Sequence, residues 1–226
     1  PQNPKTPLKS KYKIIIETNM PTYKLHYFDL NARGEPIRAL LSHSNADWED
    51  VRLTFEQWPS VKPSMPNQQV PCLELNDGKK MGESTAILRY LGAKLGYYPS
   101  DPLKAFQCDE CIEAAIEVYN EIYKPQFASD SEKPAVIEKI INVVMPKFLK
   151  GTDAYYAKGA FITGDKLCCA DFMVGNIYVT YATNPASYAQ DKWEKLMNDF
   201  PNFKAYGERY RAANVAWLDK RPVRPI

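Results

Sequence analysis

The chain has 226 residues, 45% of them hydrophobic and 25% charged, enough for one large or two small buried cores. A net charge of +2 gives no broad electrostatic footprint for nucleic acid, and no apolar run approaches the roughly 18 residues that span a bilayer. Most of the excess is local: residues 1–19 carry four lysines against Glu17, a balance of +3, which leaves about −1 for residues 20–226.

Residues 1–19 read as a leader or extension, expected to be disordered. Ile14-Ile15-Ile16 is too short for a signal-peptide core and no small-residue cleavage site follows it. From Met20 to about Tyr97 the chain alternates strand and helix patterns. Tyr23–Phe28 is a strand, with Leu25 and Tyr27 at spacing two. Gly34 and Pro36 mark a tight loop entering a helix over Glu35–Ser44, which turns Ile37, Leu40 and Leu41 to one side. Trp48–Leu53 is a strand, Trp58–Met65 is proline-broken and irregular, and Val70–Leu75 is a strand. Asn76-Asp77-Gly78 turns it into a short partner, Lys79–Met81. Ser84–Leu95 is a helix with Ser84 at its N-cap, Ile87, Leu88 and Leu91 inward, and Gly96 beyond its end.

Residues 98–103 read as a linker, and beyond them the strand signals stop. Lys104–Phe127, Pro134–Ala157, Asp171–Ala182 and Pro201–Ala213 read as helices, with Pro146 kinking the second. The fold class is α/β + all-α, a βαβ-ββα layer over residues 20–97 followed by an all-helical domain over 104–226. The five cysteines, Cys72, Cys108, Cys111, Cys168 and Cys169, are odd in number and read as reduced thiols of a cytoplasmic protein. Cys108 and Cys111 have C-x-x-C spacing but fall in a helical pattern. No cysteine–histidine set has zinc spacing, so no metal is expected.

Four features of the first half point to a ligand groove. Tyr27 ends a strand just before a loop bearing Arg33, where its hydroxyl can donate to an anion; the plain alternative is a half-buried strand tyrosine. Gln69-Val70-Pro71 opens a strand that cannot pair fully at the proline. A cis Val70–Pro71 bond would turn the Val70 backbone outward to pair with an extended peptide, whereas the tripeptide alone suits an ordinary trans proline. Glu83 beside Ser84 at a helix start suits an α-amino acid head group, though Ser84 would cap the helix in any case. Trp58 and Lys62 offer an indole N–H and an ammonium to a second carboxylate, or are a surface pair.

The chain from Met20 onward resembles a cytosolic glutathione transferase, most like the sigma class. The resemblance rests on Met20-Pro21-Thr22-Tyr23-Lys24-Leu25-His26-Tyr27-Phe28, Arg33-Gly34-Glu35-Pro36-Ile37-Arg38, Trp58-Pro59-Ser60-Val61-Lys62, Gln69-Val70-Pro71 and Glu83-Ser84-Thr85-Ala86-Ile87. Ala170-Asp171-Phe172 and the Trp217…Lys220-Arg221-Pro222 ending also fit, so it spans about 200 residues in order. It implies a thioredoxin-like first domain and glutathione as co-substrate. It implies a Tyr27 hydroxyl on the glutathione sulfur with support from Arg33. Trp58 and Lys62 would hold the glycyl carboxylate, Gln69, Val70 and Pro71 (its bond cis) the cysteinyl unit, and Glu83 and Ser84 the γ-glutamyl head. It further implies a homodimer in which Glu117 reaches the other subunit's site. Phe28, Tyr119, Tyr123, Met173 and Ile177 are candidates for an apolar electrophile pocket, and each equally suits a core position.

The sequence departs from the family pattern at two places. Pro66-Asn67-Gln68-Gln69 lacks the usual hinge glycine. Cys168 stands where a capping Ser or Thr is expected; a thiol caps poorly, at a loss of roughly 1 kcal/mol. Leu167 and Phe172 remain as a hydrophobic staple. The activity implied is addition of the glutathione thiolate to small apolar electrophiles. A glutathione-dependent isomerase of the prostaglandin D synthase kind uses the same first half. A non-catalytic ligand-binding or structural relative is the third reading, and retention of the whole groove argues against it. A thioredoxin-like reductase lacks its cysteine, since Tyr27-Phe28-Asp29 stand there.

Overall fold

The structure, a computed structural model, describes residues 22–225. The leader expected over residues 1–19 lies outside the described residues. The first domain runs β1 (Tyr23–Phe28), α1 (Glu35–His43), β2 (Trp48–Leu53), a single helical turn α2 (Trp58–Val61), β3 (Cys72–Leu75), β4 (Lys80–Met81) and α3 (Ser84–Leu95). The sheet order is β2-β1-β3-β4, with β1 parallel to β2 and antiparallel to β3. His26 stands opposite Cys72, so the C-terminal end of β1 lies beside the entry to β3. This register brings Tyr27 to the Val70–Pro71 step.

Alternation fixes the faces. Tyr23, Leu25 and Tyr27 of β1 are buried, and the residues between them are partly exposed. Ile37, Leu40 and Leu41 of α1 and Ile87, Leu88 and Leu91 of α3 are all but fully buried. Each contributes on the order of 1.5–3 kcal/mol of transfer free energy. α3 stops at Gly96, whose φ of 84° is the left-handed value a helix C-terminus favours.

The helical domain comprises α4 (Pro102–Ile122), α5 (Lys133–Lys139), α6 (Met145–Lys158), α7 (Cys169–Ile177), α8 (Gln190–Asp199), α9 (Pro201–Ala213) and the short α10 (Val215–Leu218). α4 starts two residues before the expected Lys104, because the Asp101 carboxylate caps it, accepting from Lys104 N–H at 2.9 Å. At Pro146, where a kink was expected, the regular α-helical pattern is interrupted and the chain stays helical. A wider π-type turn over Ile140–Val144 absorbs the lost donor, and the chain continues as α6. α8 is an addition to the expected helices. Its buried stripe is only Trp193, Leu196 and Met197, on an otherwise polar segment.

α7 is the pivot between the domains. All nine of its residues are buried. Phe172 meets the Tyr97 and His43 rings edge-on at 5.3 and 5.7 Å. The Tyr97 carbonyl accepts from Cys169 N–H at 2.8 Å. α7 starts with a reciprocal capping box: the Asp171 carboxylate accepts from Cys168 N–H at 2.7 Å and the Cys168 sulfur accepts from Asp171 N–H, so the thiol takes the capping position that it was expected to fill poorly.

Candidate active site

Tyr27 is buried to 6% exposure at the end of β1. Its hydroxyl oxygen accepts from the Arg33 backbone N–H at 3.1 Å. Gly34 follows because the tyrosine ring lies against the backbone there: a Cβ on Gly34 would stand 2.4 Å from Tyr27 Cδ1. The Arg38 guanidinium sits 5.6 Å from the ring centroid. Burial pushes the phenol above its ordinary pKa, opposed by the Arg33 N–H and the two arginine charges. The phenol therefore stays protonated at neutral pH. With its oxygen already accepting from Arg33, its own hydrogen is free to donate.

Tyr27 itself does not line the nearby cleft, which its neighbour Phe28 and its hydrogen-bond partner Arg33 border and which has a volume of about 680 Å³. The cleft is lined by Phe28, Arg33, Trp58, Lys62, Gln69, Val70, Pro71, Glu83 and Ser84, together with Asn67 and Gln68. Nine residues singled out from sequence thus converge on one surface. The Val70–Pro71 bond is cis, as the resemblance implies. Val70 precedes β3, and neither its N–H nor its C=O takes a backbone partner among the described residues. Trp58 and Lys62 stand on and just after α2, and Glu83 and Ser84 at the start of α3. The cleft therefore offers an ammonium, an indole N–H, a guanidinium, helix N–H groups and one carboxylate. That set complements a short anionic peptide bearing one ammonium.

Ser84 is not the N-cap of α3. Glu83 holds that position with φ 67° and ψ 106°, and Ser84 is the first helical residue. Asn67 and Gln68 were missed from sequence. Their φ values of 52° and 53° are the left-handed turn that the absent hinge glycine would supply, and asparagine tolerates it best among ordinary residues. Asn67 Nδ2 also donates to Glu83 Oε1 at 3.2 Å. Asn120 was missed as well. Arg33 Nη2 donates to Asn120 Oδ1 at 2.6 Å and to the Tyr123 hydroxyl at 3.1 Å, which ties the loop to the end of α4.

The expected electrophile pocket is only partly assembled. Phe28 lines the cleft and Tyr123 meets Arg33. Tyr119, Met173 and Ile177 are core residues instead: all three are buried, and the Tyr119 hydroxyl donates to the Met173 carbonyl at 3.2 Å. Their helical spacing serves the α4–α7 contact. Glu117 is not in the cleft. Its side chain is 69% exposed and pairs with Lys147 Nζ at 2.9 Å, beside a second groove between α4 and α6. Among the described residues, no helix is long and apolar enough to cross a membrane.

The glutathione S-transferase N-terminal domain model matches residues 23–93, and the C-terminal domain model matches residues 116–221. A glutathione S-transferase of Anopheles gambiae is 32% identical over 216 residues, covering 92% of this chain and all of the relative. The hematopoietic prostaglandin D synthase of Gallus gallus is 30% identical over 209 residues, again 92% of this chain and all of the relative. Among solved structures, a glutathione S-transferase of the hookworm Necator americanus, described as monomeric, superposes with a TM-score of 0.78. It is 28% identical over 90% of this chain and 99% of that one.

Proposed function

We propose that this chain, which belongs to the glutathione S-transferase family, holds glutathione in the β1–β3–α3 cleft and uses Tyr27 to keep its sulfur as thiolate. The enzyme transfers that thiolate to small apolar electrophiles. The observation that carries the site assignment is the buried Tyr27 hydroxyl, fixed by the N–H of Arg33, a residue that lines a cleft of peptide size. Trp58 and Lys62 take the glycyl carboxylate. The exposed backbone of Val70 pairs with the cysteinyl unit beside Gln69 and Pro71. Glu83, steadied by Asn67, takes the γ-glutamyl ammonium, and Ser84 with the first N–H groups of α3 takes its carboxylate. Arg33 stands where charge develops on the electrophile. The chain divides at residues 98–103 into the glutathione-binding and helical domains, and the enzyme works in the cytoplasm. Five free cysteines among the described residues support that compartment.

A panel of apolar electrophiles and prostaglandin H, each run with and without glutathione, tests this reading. Conjugates that form only with glutathione, at rates above the uncatalysed reaction, are the expected result. No acceleration with any electrophile would leave a ligand-binding protein. The similarity to a prostaglandin D synthase is the reason for the prostaglandin arm. Isomerisation there would consume no glutathione.

The enzyme is proposed to be a sigma-type homodimer, with Glu117 completing the partner's γ-glutamyl site. Support comes from the exposed apolar residues Leu103 and Phe106 on the first turns of α4, the helix whose exposed face also carries Glu117. Glu117→Gln should weaken glutathione binding about 5- to 10-fold by calorimetry, the loss of one ammonium–carboxylate contact. Light scattering at dilute concentration should give twice the chain mass. A monomer with full affinity, the state described for the hookworm relative, would remove the dimer. A dimer indifferent to Glu117→Gln would remove only the cross-subunit contact.

A further inference from the structure

We propose that the C-terminal segment, residues 217–224, is a strap that positions the loop between β1 and α1 for catalysis, with Arg221 as its chief positioning residue. The inference rests on the thiolate role of Tyr27 given above. That loop carries Arg33, and the Arg33 N–H sets the Tyr27 hydroxyl. Besides the Arg33 contacts to Asn120 and Tyr123 on the α4 side and the Arg52–Asp29 pair, two groups of contacts hold the loop.

From within the first domain, the fully buried Arg38 donates to the Leu30 and Phe28 carbonyls at 2.7 and 3.0 Å. From the far end of the sequence, Trp217 Nε1 and Arg221 Nη1 both donate to Glu35 Oε1, at 2.8 and 3.0 Å. Arg224 Nη2 reaches Asp29 Oδ2 at 2.7 Å. Asp29 opens the loop and Glu35 closes it, so the strap grips both ends.

The strap is itself tied to the helical domain. Arg221 Nη2 donates to the Val179 carbonyl at 2.9 Å and Nη1 to Thr180 Oγ1 at 3.2 Å. The Arg224 carbonyl accepts from Asn184 Nδ2 at 2.7 Å. Glu35 has no exposed surface, and besides Arg221 the cation facing it is Arg38 at 3.5 Å. A buried carboxylate makes such a contact close to all-or-none, because an unpaired charge there is costly. The planar fork of Arg221 spans Glu35 and the Val179 carbonyl together, which a lysine ammonium cannot do with the same geometry. None of Trp217, Arg221 or Arg224 lines the cleft. The strap acts through the loop, two residues from Arg33, and makes no contact with the peptide.

The test compares the full-length enzyme with Arg221→Gln, Arg221→Lys and Trp217→Phe. It reads kcat, glutathione affinity by calorimetry, and the pH titration of bound thiolate by ultraviolet absorbance. For Arg221→Gln we expect kcat to fall about 10-fold with glutathione affinity changed less than about 3-fold. The thiolate midpoint should rise by about one pH unit. Arg221→Lys should recover part of both changes. Trp217→Phe, which removes one donor to Glu35 and keeps the ring, should show the same signature at about 3-fold, and it decides the matter where Arg221→Gln does not fold. Folded variants with the parent's kcat and thiolate midpoint would overturn the strap, as would equal losses in affinity and turnover with no midpoint shift. A parent enzyme with no titrating bound thiolate would instead overturn the role of Tyr27, and the strap's role with it.

Discussion

Tyr27→Phe should lower turnover by roughly 50-fold near pH 6.5 while changing glutathione affinity less than about 3-fold. A free thiol has a pKa near 8.5, so only about one part in a hundred is thiolate at that pH. Lowering the bound thiol by about two units requires roughly 2.7 kcal/mol of preference for the charged form. One charge-assisted hydrogen bond from a neutral phenol, in a pocket with Arg33 and the α3 N-terminus nearby, is of that size. Burial keeps the Tyr27 phenol protonated, so it is a donor throughout this range. Phenylalanine keeps the ring packed on Gly34 and beneath Arg38, and removes only the hydroxyl. Affinity comes from the residues spread along the rest of the cleft, which explains the split between turnover and binding. The measurement is steady-state turnover against pH, together with ultraviolet titration of the bound thiolate. A thiolate midpoint equal to the parent's would remove Tyr27 from the chemistry.

The groove was legible because each of its parts is a local signal. A strand-end tyrosine, an X-Pro at a strand entrance and a Glu-Ser pair at a helix start can each be read within a few residues. The register of β1 against β3 then brings the tyrosine to the proline step, and the start of α3 lines the same cleft. The parts that were not legible depend on long-range packing. Tyr119, Met173 and Ile177 have the spacing of a helix face, and spacing does not say whether that face meets solvent or another helix. Here it meets the core between α4 and α7. Asn120 gave no local signal, because its role exists only once Arg33 crosses to α4. Asn67 could have been found: a missing hinge glycine leaves a left-handed turn to be filled, and asparagine is the residue that fills it most cheaply. The α8 helix was missed because its buried stripe is three residues wide. At Pro146, where a kink was expected, the regular helix gives way to a π-type turn just before the proline.

Asp171→Ala should cost about 3–5 kcal/mol of stability, seen as a fall in Tm of roughly 10 °C for a chain of this size. Asp171 is fully buried at the start of α7. One carboxylate oxygen accepts from Ile162 N–H at 3.1 Å and from the Tyr206 hydroxyl at 3.0 Å, and the other from Cys168 N–H. Alanine leaves two buried N–H donors, those of Ile162 and Cys168, without acceptors at the entry to α7, and leaves the Tyr206 hydroxyl only its longer bond to the residue 171 carbonyl, 3.3 Å in the parent. Asp171→Asn keeps one oxygen but turns an N–H₂ group on a donor at the other, so it should also destabilise, by less. The two variants respond differently to pH than the parent. Burial pushes the Asp171 carboxyl up to about 6 from 3.8, against the pull of the Cys168 and Ile162 N–H groups, the Cys168 thiol and the Tyr206 hydroxyl. The folded chain thus holds this proton more tightly than the unfolded chain. The stability linked to it is complete below pH ~3.8 and is lost as pH rises through about 6, a change of up to roughly 3 kcal/mol. Urea unfolding of parent and Asp171→Asn between pH 4 and 7.5 measures it: the gap between them should narrow as pH rises. A gap that widens with pH would mean that these donors outweigh burial and hold the carboxylate ionised. An Asp171→Ala variant with the parent's unfolding midpoint at neutral pH would show that α7 keeps its place without this cap.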